Sequence, residues 1–203
     1  MVTAYVLAGG ASSRMGSDKA AVKVEGQSLL QIAVAKAKAV CEEVFILCGE
    51  DASRAGELAP AVLDLRPGCG PLSGVEAALA HTQSEWSLFL PVDTPAIPVV
   101  LLRRWKERVE WKEDKDRAVV LAVSGDVQAL PVFFPRGLLP RVSQAIDEKR
   151  YRLSLVAPME AMEVADLVAL STPRTEMMDW FTNLNTPQDL AQWKDRLQGK
   201  TKT

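Results

Sequence analysis

Apolar residues in this chain fall in short runs broken by polar, glycine and proline positions, and two periodicities alternate along it. Ala4–Ala8, Val44–Cys48, Ala61–Leu65 and Trp86–Val92 are brief, nearly continuous apolar runs that predict buried strands. Between them the period changes. Ser28 predicts the cap of a helix to about Val40, with Leu29, Ile32, Ala33, Ala37 and Val40 near a 3.6 repeat. Ala21–Val24 reads as a short extended piece just before it. Gly70-Pro71 opens a helix carrying Leu72, Val75, Leu79 and Ala80 to about His81, and Pro98 opens another. The latter reaches into Arg103–Arg117, whose mixed charges predict a solvated helix face followed by a loop. Ala118–Val123 and Val127–Phe134 predict a hairpin around Gly125-Asp126. Leu138–Ile146 reads as helix and Met162–Leu167 as strand. Thr186 is expected to cap a last helix from Pro187 to about Leu197, and a frayed tail is expected over residues 199–203.

Strand–helix alternation over residues 4–110 predicts an α/β fold: three layers, Rossmann-like, with a mostly parallel sheet covered by helices on both faces. Residues 1–198 are expected to form one domain. Such sheets bind ligands beyond the carboxyl ends of their strands. That rule groups the loop after the first strand, Asp64 at the end of the third and Asp93 after the fourth at one rim.

Composition narrows the class. A net charge of −2 over 203 residues leaves no electrostatic footprint for nucleic acid. No apolar stretch approaches the roughly 20 residues that span a bilayer, and Met1 leads into a strand without a basic n-region. Cys41, Cys48 and Cys69 are odd in number and lack metal-ligand spacing, which suits reduced thiols in a cytoplasm. Cys69 reads as an ordinary loop residue, and the only histidine, His81, as structural or surface.

The chemistry concentrates in four motifs. Residues 5–19 run from a strand through Gly9-Gly10 into a polar loop carrying Ser12, Arg14, Gly16 and Lys19. Glycines let backbone N–H groups converge on an anion, and two cations supply charge where phosphate oxygens would sit. Five residues separate Gly10 from Gly16, and Ser17-Asp18 intervenes before the lysine, so this is no P-loop; nor does it fit G-x-G-x-x-G. In Pro91-Val-Asp93-Thr-Pro95 a carboxylate between prolines after a buried strand is placed to hold Mg²⁺, or else to cap a turn. Gly70-Pro71-Leu-Ser-Gly74 offers small residues on which a base or ribose can pack, or ordinary capping. Asn183-Leu-Asn185-Thr-Pro187 offers neutral oxygen ligands, or plain turn chemistry.

In this order the four motifs resemble the molybdenum cofactor guanylyltransferases. The likeness is dense over residues 5–19 and 64–98, returns at 183–197, and is thin between 105 and 180. It implies transfer of GMP from GTP to Mo-molybdopterin with release of pyrophosphate. It also implies backbone contacts to the nucleotide from Leu7, Ala8 and Gly9, phosphate binding by Lys19, a guanosine contact from Asp64 and Mg²⁺ on Asp93. Gly10, Gly70, Pro71, Asn183 and Asn185 complete the candidate nucleotide-side set, and Arg14, Lys19 and Asp93 the catalytic set. Transient contacts with cofactor-synthesis proteins and apo-molybdoenzymes are expected of the family. Where some relatives place an asparagine after the second strand, this chain has Leu47-Cys48-Gly49.

Three alternatives remain at this stage. The nearest is a cytidylyltransferase for the same pterin, a type that resembles Leu-Ala-Ala-Gly where this chain has Leu7-Ala-Gly-Gly10. A methyl group at Gly9 is therefore expected to intrude on the space of the purine. The others are a sugar-phosphate nucleotidyltransferase and a non-enzymatic nucleotide- or cofactor-binding adaptor, which would not need Arg14, Lys19 and Asp93 together.

Overall fold

A computed structural model describes residues 1–9, 19–153, 156, 158–169, 171–186 and 188–193. The chain begins with β1 (Val2–Leu7), and a small hairpin of β2 (Lys23–Val24) and β3 (Gln27–Ser28) leads into α1 (Leu29–Val40). Then come β4 (Glu43–Leu47), β5 (Ala61–Val62), α2 (Pro71–His81), β6 (Trp86–Pro91) and α3 (Val99–Glu110). The second half supplies β7 (Ala118–Val123), β8 (Asp126–Pro135), α4 (Leu139–Asp147), β9 (Met159–Glu163) and α5 (Arg174–Trp180). Residues 188–193 are helical as well.

Seven strands form one sheet in the order β5-β4-β1-β6-β8-β7-β9. β1 pairs in parallel with both β4 and β6, and β4 with β5, so these four strands leave the sheet along one edge. β8 runs antiparallel between β6 and β7, while β9 rejoins in parallel beside β7. The expected mostly parallel, three-layer α/β fold is what forms. β1 shows why its sequence is apolar throughout: Ala4 and Val6 enter the core beneath α1, α3 and α5, whereas Tyr5 enters the core beneath α2 and α4. His81 belongs to that second layer. Its Nδ1 lies 2.9 Å from the Tyr5 hydroxyl and its ring meets Phe45 edge-on, a structural role.

Helix α1 starts as the sequence specifies. The Ser28 hydroxyl accepts from Gln31 N–H and the Gln31 side chain accepts from Ser28 N–H, closing a capping box. Other expectations need correction. The strand expected at Met162–Leu167 is Met159–Glu163, and Val164–Asp166 turns into a 3-10 helix. The hairpin turns at Ser124-Gly125 rather than Gly125-Asp126, with both residues at positive φ and both amides held by the Glu163 carboxylate at 2.9 and 2.8 Å. Asp64 stands two residues beyond the end of β5 instead of ending that strand. Helix α5 was not expected at all. Pro187, the far end of the last helix and residues 199–203 lie outside the described residues.

Candidate functional site

The rim formed by β5, β4, β1 and β6 carries the residues that the sequence singles out. Ala8-Gly9 follows β1, Cys48-Gly49 follows β4, Asp64 lies just past β5 and Asp93 just past β6. Three strand spacings separate β5 from β6, roughly 14 Å. Asp64 and Asp93 therefore mark two ends of a trough, with the exit of β1 between them. Gly10 and Arg14 lie outside the described residues.

At one end three side chains from distant parts of the chain meet. Lys19 Nζ donates to Asp93 Oδ2 at 2.9 Å and to Asn185 Oδ1 at 2.5 Å. Backbone pairing creates this meeting, because Leu184 N–H donates to Asp93 O at 2.9 Å and so lays the 183–185 segment against the β6 exit. Asp189 then fixes the far side of Asn185. Its carboxylate accepts from the amides of Asn185 and Thr186 at 2.9 and 2.8 Å, and the Thr186 hydroxyl accepts from Asp189 N–H. These backbone donors hold the Asp189 carboxyl below the usual carboxylate range. Asn183 is exposed beside them. Thr186-x-x-Asp189 has capping-box spacing, a signal that could have revealed Asp189 from sequence.

The donor set around Lys19 tests whether a divalent cation suits the place. One carboxylate oxygen and one amide oxygen already converge on a cation, the Lys19 ammonium. Such a sparse set of hard oxygens fits Mg²⁺, which takes its remaining ligands from water and substrate phosphates.

The other end is built for close approach. Asp64 N–H donates to Gly49 O at 2.8 Å, tying the β5 exit to the β4 exit. Gly74 on α2 sits so near that a Cβ there would lie 3.3 Å from Leu47 Cδ1 and 3.5 Å from Asp64 Oδ1. Its smallness thus serves packing of α2 against Asp64 and β4. Gly70 does need its freedom, since it caps α2 at φ +64 before Pro71. Burial pushes the Asp64 carboxyl upward, opposed by the Ser73 hydroxyl. Leu63 and Leu65 flank Asp64 and are exposed, leaving apolar surface beside the carboxylate.

The segment from Asp64 to Gly70 is braced from beneath. Arg66 pairs with the buried Glu76 on α2 and with Asp147 at the end of α4. Ser143 donates to Glu76 at 2.7 Å and Ser73 to Arg66 O at 2.5 Å. Nothing local in the sequence marks this network, whose members are far apart along the chain.

Gly9 closes on the β4 exit. It is exposed, and it is absent from the positive-φ residues. A Cβ there would stand 2.9 Å from Gly49 N and 3.4 Å from Cys48 C, so it would press on the β4 exit. Leu7 and Ala8 flank the same junction, where Ala8 N–H donates to Leu47 O at 3.0 Å.

Comparison with known proteins matches residues 4–164 to the model of the MobA-like NTP transferase domain. The chain belongs to this family. The Deinococcus radiodurans protein named "Probable molybdenum cofactor guanylyltransferase" is 35% identical over 202 residues, covering 96% of this chain and 95% of that one. The molybdenum cofactor guanylyltransferase of Vibrio cholerae is 31% identical over 192 residues, covering 93% and 89%. Among solved structures, the molybdopterin-guanine dinucleotide biosynthesis protein A of Archaeoglobus fulgidus superposes with a TM-score of 0.80 at 21% identity. That superposition covers 98% of this chain and 100% of that one, and it speaks for the fold. Membership in a nucleotidyltransferase family rules against the adaptor reading. Among the described residues no helix is long and apolar enough to cross a membrane.

Proposed function

We propose that this protein transfers GMP from GTP to Mo-molybdopterin, giving molybdopterin guanine dinucleotide and pyrophosphate. The observation that carries this reading is the meeting of Lys19, Asp93 and Asn185 at one end of the trough, in a chain whose relatives are named for this activity. GTP would lie along the trough with guanosine toward Asp64 and phosphates toward Lys19. An ionised carboxylate only accepts hydrogen bonds, so Asp64 complements the N1–H and N2 donors of guanine or the ribose hydroxyls. The donors it meets would favour its charged form and counter the effect of burial.

The attacking group would be the terminal phosphate of the pterin. Its second pKa is about 6, so it is largely dianionic at neutral pH and needs no general base. The chain's one histidine fits that account, since it is bound to Tyr5 in the second core. What remains is to bring two polyanions together and to neutralise the departing pyrophosphate. Lys19 and Arg14 would supply positive charge, and the backbone of Leu7, Ala8, Gly9 and Gly10 would contact the nucleotide, the Ala8 N–H itself being given to Leu47 O. Asp93, with Asn185 as a second oxygen, would hold Mg²⁺, which when bound polarises the α-phosphate and offsets charge on the leaving group. Gly70 and Pro71 would border the nucleoside, and Asn183 the phosphate end. Residues 1–198 would act as one catalytic domain. Cys41 and Cys48 are buried and all three thiols are free, as befits a cytoplasmic enzyme receiving the pterin from synthesis proteins and passing its product to apo-molybdoenzymes.

The test is to incubate the protein with Mo-molybdopterin, Mg²⁺ and each nucleoside triphosphate separately. Formation of a dinucleotide with GTP alone is the expected result. Preferential use of CTP, or of a sugar phosphate as acceptor, would overturn the assignment.

A further inference from the structure

Lys36 stands in the middle of α1, far in sequence from every motif, yet its ammonium reaches the loop that carries Asp93. It donates to the carbonyl of Pro95 and, at 2.5 Å, to the carbonyl of Ile97. That loop is poor in donors of its own. Pro91, Pro95 and Pro98 have no N–H, and the cap of α3 at Pro98 makes no side-chain hydrogen bond. Within the loop, Ile97 N–H reaches Thr94 O at 3.4 Å. Thr94 and Ile97 are buried, whereas Asp93 emerges half-buried at the rim.

We infer that Lys36 is a positioning residue, whose ammonium clamps the Pro95 and Ile97 carbonyls and thereby sets where the Asp93 carboxylate stands. The inference rests on the proposed metal role of Asp93. Two restraints then act around that residue. Leu184 N–H holds the Asp93 carbonyl at 2.9 Å, and Lys36 holds the chain two and four residues further on. An ammonium drawn out of water is costly unless its donors are satisfied, and here carbonyls take two of its three. Burial pulls the Lys36 pKa down to about 8, while acceptors of this kind favour the charged form. Holding a half-buried charge here is a poor way to fill space and a good way to fix two carbonyls.

The experiment compares the parent, Lys36→Met and Lys36→Arg in three measurements: Mn²⁺ binding by electron paramagnetic resonance, guanylyl transfer as a function of Mg²⁺, and thermal melting. Misplacing a catalytic group slightly can cost up to roughly 100-fold. Lys36→Met should therefore weaken Mn²⁺ binding, and kcat should fall by about tenfold or more with little change in KM for GTP. Lys36→Arg should recover most of both. A variant that melts lower but binds Mn²⁺ and turns over like the parent would overturn the inference and leave Lys36 a packing residue. If Lys36→Met does not fold, Lys36→Gln is read by the same criteria. A parent that binds Mn²⁺ but forms no guanine dinucleotide would instead overturn the proposed activity, and the Mn²⁺ comparison would still decide the clamp.

Discussion

Adding one methyl group at Gly9 tests how the trough is built. An ideal Cβ on Gly9 lies 2.9 Å from Gly49 N, 3.4 Å from Gly49 Cα and 3.4 Å from Cys48 C. All three are backbone atoms and cannot swing aside as a side chain would. Ordinary carbon contacts need about 3.5 Å or more, so the β4 exit must retreat by roughly 0.5 Å. Overpacking of this kind costs about 1–3 kcal/mol, and for a chain of this length each kcal/mol lowers Tm by about 2–4 °C. Gly9→Ala should thus melt roughly 2–12 °C below the parent. The displacement is passed on, because Gly49 O accepts the Asp64 amide at 2.8 Å and a moved Gly49 moves Asp64. With Asp64 out of place, kcat/KM for GTP should fall by roughly tenfold. Use of CTP, which draws less on that carboxylate, should fall less. Melting curves and kcat/KM for both triphosphates, on parent and variant, make the assay. An unchanged Tm with an unchanged GTP-to-CTP ratio would refute the reasoning. A narrowed ratio at an unchanged Tm would mean that the methyl group acts in ligand space, as the sequence alone suggested, and not through β4.

Asp93→Ala should abolish transfer while leaving the melting curve near that of the parent, and near-normal turnover at ordinary Mg²⁺ would refute its assignment. Lys19→Ala and Arg14→Ala each remove charge-assisted contacts worth about 1.5–3 kcal/mol, so turnover should drop by about tenfold or more in each. The exposed Arg141→Ala on α4 serves as the comparison, and equal activity in all three would place the loop cations outside the reaction. The Arg66 side chain, followed by Ser143, holds the Glu76 carboxyl below the ordinary glutamate value of about 4.3. Its stabilisation is therefore present above that value and is lost as pH falls through the depressed folded one. Glu76→Ala should cost roughly 2–3 kcal/mol at pH 7, at or below the usual range for a broken buried pair because Arg66 is a third exposed. Equal stability of the two proteins at pH 7 would remove the brace from the account.

Local physics alone determined much of this protein. A chain that reads Val2–Leu7 without a charge, breaks at Gly9-Gly10 and then follows a capped helical repeat has few options besides a buried strand that ends at the sheet's rim. Ser28 and Gln31 announce the start of α1, and Pro71 that of α2, because caps and proline act on neighbouring residues. Lys19, Asp93 and Asn185 stood out for the same reason, each in a short motif at an element end, and Asp64 by its place at the end of an apolar run. What tertiary structure decided is everything that depends on partners distant in sequence. The insertion of antiparallel β8 between β6 and β7 is a pairing choice that its own alternation cannot encode. β9 is a half-buried strand at the sheet margin reading Met-Glu-Ala-Met-Glu, and α5 spans seven residues, so neither gives a strong period. The contact of Lys19 with both Asp93 and Asn185 exists because Leu184 pairs with the backbone of Asp93. Lys36 and the Arg66–Glu76 brace look like ordinary helix and loop charges until folding surrounds them with carbonyls and carboxylates. A side chain's type and local setting are written in the sequence, but its burial and its partner come from chain segments that local rules do not connect.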